Sequence, residues 1–112
     1  MSERIKKLNN HLRDEVGKII HNEIVLTDKI LITVTEAEVS PTLEHATIRI
    51  SVYPKDKEKT VLKEIKKDIY QIQQILNRRL VMRPVPKIRF EIDISEKHAS
   101  RIEEILQKTI EK

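Results

Sequence analysis

The chain has no cysteine, a single glycine (Gly17) and only three aromatic residues, Tyr53, Tyr70 and Phe90. Without cysteine there are no disulfides, thiolate metal sites or cysteine nucleophiles. One glycine cannot build the glycine-rich loop whose backbone cradles a nucleotide phosphate. Three aromatics are too few for the base-stacking platform of an RRM or an OB-fold. No apolar run approaches ~20 residues, so no membrane-spanning helix is expected. The opening MSERIKKLNN carries no apolar stretch of signal-peptide type, and the cytoplasm is the expected compartment. The histidines His11, His21, His45 and His98 lack metal-ligand spacing such as HxxxH or HExxH. Asp14/Glu15, Glu36/Glu38 and Glu103/Glu104 fall on helix or strand surfaces and read as solvated charge. With no constellation of nucleophile, base and oxyanion site, the chain is not expected to be an enzyme. Nor is it expected to use a metal, a cofactor, a small-molecule substrate or a membrane.

What the sequence does contain is aliphatic and charged. Hydrophobic residues make up 38% of its 112 residues and charged residues 36%. That length suits one domain, residues 1–112, with a packed core and little room for a deep active site. The net charge of +4 is unevenly spread. Residues 1–54 carry seven Lys/Arg and eight Asp/Glu, residues 55–90 eleven and four, and residues 91–112 four and six. The basic excess, +7, therefore lies in one contiguous third of the chain. A clustered positive field is the electrostatic footprint of a polyanionic partner. The plainer alternative is a solvated helix face with surplus lysine.

Hydrophobic periodicity divides the chain into α-β-β-α-β-α. Ile5, Leu8, Leu12, Val16 and Ile19 recur every three or four residues and predict a helix over 3–21, which Ser2 can cap and Gly17 weakens. Residues 30–39 predict a strand in which Ile30, Ile32 and Val34 share one face, after which the apolar phase slips to Ala37 and Val39. Such a slip predicts a bulge near Thr35 or Glu36. After the turn-like Ser40–Glu44, Ala46, Ile48, Ile50 and Val52 alternate with Thr47, Arg49, Ser51 and Tyr53. This second strand should pair antiparallel with the first and leave one wet face. From Glu58 to Met82 the stripe Leu62, Ile65, Ile69, Ile72, Leu76 and Leu80 predicts a long helix, ended by Pro84 and Pro86. A straight helix of that length spans ~37 Å, more than a small sheet covers, so a bend or overhang is expected. Residues 88–94 predict a third strand, parallel to the second across a right-handed crossover. Ser95 can cap a last helix that buries Ala99, Ile102, Leu106 and Ile110. The expected fold is α+β, with helices packed on one face of a three-stranded sheet.

The candidate RNA contacts are Lys66, Lys67, Arg78, Arg79, Arg83, Lys87 and Arg89, with Lys63, Arg4, Lys6, Lys7 and Arg13 as secondary candidates. Such residues grip phosphates and sugars and recognise shape more than sequence. For Arg89 the competing reading is a cross-strand ion pair; for Lys63 and Lys66 it is plain solvation.

The hairpin ITVTEAEVSPTLEHATIRISVYP (32–54) closely resembles the ribosome-binding factor A family, with Val34, Thr35, Val39, Ser40, Leu43, Ala46 and Ser51 in the family's positions. RIKKLNNHLRDEVGKII (4–20) is similar to the family's opening helix. LVMRPVPKIRFEID (80–93) supplies Leu80, Arg83, Pro86, Phe90 and Asp93, and SEKHASRIEEIL (95–106) its tail. The resemblance implies a type II KH-like fold and no catalytic residues or cofactor. It also implies binding to the free small ribosomal subunit during late maturation, on small-subunit rRNA near the decoding region and its 5′-terminal helix. The family bends its long helix at an Ala-x-Gly element, where this chain reads Asp68-Ile69-Tyr70. Tyr70 lacks the backbone freedom of glycine, so the helix either runs straight or bends by other means. The expected function is thus non-enzymatic assistance to small-subunit maturation, acting as a monomer. The alternative is a protein-interaction module that docks a partner on its long helix or open sheet face.

Overall fold

Residues 3–24 and 29–95 are described by the computed structural model of the chain. The connection at Val25–Asp28, the Ser2 cap and the last helix expected after Ser95 lie outside these residues. Helix α1 (Glu3–Glu23) is followed by strands β1 (Leu31–Val39) and β2 (His45–Tyr53). A 3₁₀ turn at Lys55–Lys57 leads into α2 (Glu58–Lys67), α3 (Ile69–Arg79) and β3 (Lys87–Ile92). The sheet order is β1-β2-β3, with β1 antiparallel and β3 parallel to β2. This is the α+β, KH-like arrangement that the resemblance implies.

The core is where the periodic positions meet. Leu12, Val16, Ile19 and Ile20 of α1, Val61 and Ile65 of α2, and Ile72 and Leu76 of α3 are buried. They cover Ala37 and Val39 of β1, Ala46, Ile48, Ile50 and Val52 of β2, and Ile88 of β3. One correction concerns the start of the long helix, where Val61 is fully buried and Leu62 only partly so.

The expected bulge is present: Val34 pairs with Ile50, but Glu36 pairs with Arg49. Because strand side chains alternate with period two, the extra residue Thr35 reverses which side each later residue faces. Ala37 and Val39 thereby enter the core, and Glu36 and Glu38 move to the open face. The Thr35 hydroxyl lies within hydrogen-bonding reach of the Arg49 carbonyl and the Asp93 carboxylate, which ties the bulge to the end of β3.

The long helix does not run straight. It breaks at Asp68, whose backbone sits at φ −100° and ψ 10°. The Asp68 N–H donates to both Glu64 O (3.2 Å) and Ile65 O (3.1 Å), and its carbonyl accepts from Ile72 N–H (3.0 Å). The break occurs at negative φ, in a region open to ordinary residues, so it needs no glycine. The buried stripe Val61, Ile65, Ile72, Leu76 keeps its phase through the break. The helix also ends earlier than the prolines require, because Leu80 turns extended (φ −93°, ψ 140°) while its side chain stays in the core.

Gly17 packs against β1. A Cβ added there would sit 3.9 Å from Val34 Cβ, an ordinary contact. Gly17→Ala is therefore expected to stabilise the fold by about 0.5–1 kcal/mol, by removing glycine's helix penalty without a clash. Urea denaturation checks this; a loss of stability would mean that α1 needs a closer approach to β1 than this packing shows.

Candidate nucleic-acid interface

The sheet's two faces differ in chemistry. Its inner face is apolar and covered by the helices. Its open face carries Glu36 and Glu38 from β1, Arg49 from β2 and Glu91 from β3. Arg49 joins all three strands, with Nη1 3.0 Å from Glu36 Oε2, Nη2 3.2 Å from Glu38 Oε1 and Nε 2.9 Å from Glu91 Oε1. Partial burial acts to lower the Arg49 pKa, but hydrogen bonds to Glu38 and Glu91, with the nearby Glu36 charge, outweigh it and raise the pKa. With one cation among three carboxylates, this part of the face is acidic and repels a polyanion. The cross-strand ion pair that Arg89 was in line for thus belongs to Arg49. Arg89 donates instead to the Thr47 hydroxyl (3.2 Å).

The predicted contacts fall on two sides of the molecule. Lys87 and Arg89 project from β3 on the open face, opposite His45 and Thr47 in the parallel register. They line a shallow groove of about 660 Å³ with Ser40, His45 and Thr47, bordered by Glu38. On the helical side, Lys63, Lys66 and Lys67 of α2 and Arg78 of α3 are exposed. None of these four has an ion-pair partner among the described residues.

Two of the arginines already have internal work. Arg79 Nε is hydrogen-bonded to Glu15 of α1, fastening α3 to the first helix. That hydrogen bond holds the Glu15 carboxyl below its ordinary range, against the opposing pull of burial. Arg83 folds back so that Nη1 donates to the carbonyls of Leu80 and Met82, both at 2.7 Å, tying down the segment that follows α3. A guanidinium has five donors, so each arginine retains N–H groups for a phosphate. In α1, Arg4, Lys6 and Lys7 are exposed, while Arg13 is half-buried and pairs with Asp14 at 3.2 Å. Lys6 and Arg13 share a shallow cavity with Glu36 and Glu38 and so stand beside the acidic face.

Gln73 was not among the candidates, yet it sets where β3 begins. Its amide nitrogen donates to Pro86 O (3.0 Å) and Asn77 Oδ1 (3.1 Å), and its oxygen accepts from Ile88 N–H (2.9 Å). This staple joins α3 to the strand bearing Lys87 and Arg89. Its only signal in the sequence is a polar residue beside the apolar stripe. Among the described residues no group of His, Cys, Asp and Glu could hold a metal ion, and no helix is long and apolar enough to cross a membrane.

The sequence profile of the ribosome-binding factor A family matches residues 4–106. The ribosome-binding factor A of Halothermothrix orenii is 34% identical over 110 residues, covering 97% of this chain and 90% of that protein. That of Clostridium perfringens is 37% identical over 114 residues, covering 97% of both. The crystal structure of ribosome-binding factor A from Thermus thermophilus superposes with a TM-score of 0.68 at 18% identity, covering 79% of this chain and 93% of that one. A homology model of the Thermus thermophilus factor, as fitted into the cryo-EM map of its complex with the 30S subunit, gives a TM-score of 0.57 at 20% identity. It covers 73% of this chain and 91% of that one.

Proposed function

The chain belongs to the ribosome-binding factor A family, and on that premise we propose that it is a non-enzymatic assembly factor of the cytoplasm. In this reading it binds the free or immature small ribosomal subunit as a monomer, through that subunit's rRNA, and assists late maturation of the rRNA. Two things support the reading: the match along nearly the whole chain, and an outward α2–α3 face that is basic, whereas the open sheet face mixes the acidic cluster around Arg49 with Lys87 and Arg89. The single observation that carries it is the row Lys63, Lys66, Lys67 and Arg78, exposed and without ion-pair partners among the described residues.

These four make the principal phosphate contacts, and Arg79 and Arg83 extend the row at the end of α3 with their remaining donors. Lys87 and Arg89 form a separate contact on the far side of β3, out of reach of the same short stretch of RNA. Arg4, Lys6, Lys7 and Arg13 are secondary. Because the contacts are ionic, binding weakens with salt through counterion release. The triple reversal Lys66→Glu, Lys67→Glu, Arg78→Glu is expected to lower the slope of log affinity against log salt by about 2–3, at ~0.7–0.9 per lost phosphate contact. Co-sedimentation with free small subunits and with whole ribosomes is the test. The wild type should prefer free subunits, and the reversed variant should bind them weakly even at low salt; unchanged binding would refute this assignment.

The acidic cluster of Glu36, Glu38 and Glu91 on the open face supports one other reading, a protein-interaction module that takes a basic segment there. Excess bulk RNA would strip an RNA partner and leave a protein partner in place.

A further inference from the structure

Tyr70 is 74% exposed, the most exposed of the three aromatic rings in the chain, ahead of Tyr53 at 46%. In the sequence it stands between Ile69 and Ile72 of the apolar stripe, but the structure turns it away from the core. The stripe Val61, Ile65, Ile72, Leu76 keeps its phase through the break at Asp68, so the opposite side of α2 and α3 is continuous as well. Along that side run Lys59, Lys63, Lys66, Tyr70, Gln74 and Arg78, each three or four residues from the next. Residues so spaced are neighbours on a helix surface. From Lys63 to Arg78 the row measures about 22 Å at the helical rise. Its centre is the tyrosine, flanked by Lys66 and Lys67 on one side and Arg78 on the other.

A lone exposed aromatic needs no special explanation. What distinguishes Tyr70 is its setting. A planar ring in the middle of a cationic row provides the two elements that hold single-stranded nucleic acid, a face for a base and charges for the phosphates on either side of it. Lysines alone would grip any polyanion; a ring adds something only when a base is free of its own stack. Bases inside a duplex are already stacked on one another and cannot reach it.

We propose that Tyr70 is a stacking site for one unpaired nucleobase, with Lys66, Lys67 and Arg78 holding the flanking phosphates. The site selects single-stranded segments or loops over duplex, which the charges alone cannot do. This rests on the RNA-binding reading above and sharpens it, since it assigns the class of RNA that the α2–α3 face receives.

The test uses the full chain, a single-stranded RNA of twelve or so nucleotides and a duplex of similar length. Tyr70→Ala is expected to weaken single-strand binding about ten- to a hundredfold, the range for loss of one base stack, and to leave duplex binding within about twofold. Tyr70→Phe should bind like the wild type. The chain has no tryptophan, so Tyr70→Trp introduces a sole tryptophan at the site, which can be excited selectively over the remaining Tyr53. Its emission should be quenched by the single strand and not by the duplex. Tyr70 is exposed, so none of the three substitutions disturbs packing, and thermal melting checks that the fold is intact. If Tyr70→Ala binds the single strand normally while the Lys66/Lys67/Arg78 reversal does not, stacking at Tyr70 is refuted and the basic face stands. If the reversal also binds normally, the RNA-binding reading itself falls.

Discussion

Ile72→Ala is expected to destabilise the fold by about 3–4 kcal/mol, roughly a third of the stability available to a domain of this size. Ile72 is fully buried and is the first residue of α3 to enter the core after the break at Asp68. The loss combines the transfer free energy of three carbons with the cavity left among neighbours that cannot collapse fully. The helix break sharpens the effect. A continuous helix would share the load along its length, whereas α3 has only Ile72 and Leu76 fully buried before Leu80 turns away. At ~4 °C per kcal/mol for about 100 residues, the melting temperature should fall by roughly 12–16 °C. Tyr70→Ala, two residues away but facing solvent, should leave it nearly unchanged. Thermal and urea unfolding of the pair decide the matter, and similar stability of the two variants would contradict the assigned faces of α3.

Arg49→Met is expected to cost about 2 kcal/mol, and Arg49→Glu about 3 kcal/mol, although the residue stands on the open face. The Arg49 side chain is 26% exposed and bridges Glu36, Glu38 and Glu91. Removing it leaves three carboxylates converging across adjacent strands, and like charges so placed repel. Their side chains remain 44–56% exposed, so water recovers part of the loss. The cost therefore stays below that of breaking a fully buried pair. The methionine variant retains much of the aliphatic length and isolates the charge. Its deficit should shrink in ~1 M salt, where the Debye length falls to about 3 Å. A deficit indifferent to salt would mean that Arg49 acts through packing of its stem. Neither substitution touches the α2–α3 face, so RNA binding at that face, at a temperature where the variants are folded, should be unchanged.

Much of the fold is legible from the order of residues because burial imposes periods that are local to each element. The stripe Leu12, Val16, Ile19 marks α1, and the alternation Ala46, Ile48, Ile50, Val52 marks β2. The bulge is legible too, since the phase slip between Val34 and Ala37 has no other economical cause. The break at Asp68 is not legible in the same way. The family's small residues are absent, and a change of ψ at negative φ requires no particular side chain.

The candidate site divides along the same line. That a positive excess lies between residues 55 and 90 is a property of the sequence alone, as are the family membership it accompanies and the helical spacing of Lys63, Lys66 and Arg78. Which of those charges remain available was settled by tertiary structure. Arg79 meets Glu15 from sixty-four residues away, Arg83 folds back onto the carbonyls of Leu80 and Met82, and Lys87 and Arg89 stand on the opposite side of the sheet. Arg49, not Arg89, took the ion pairs, because the bulge at Thr35 brought Glu36 and Glu38 to its side of the sheet. Charge and periodicity can be counted along a chain, but an ion pair depends on which strands become neighbours and in what register, and only the folded sheet decides that.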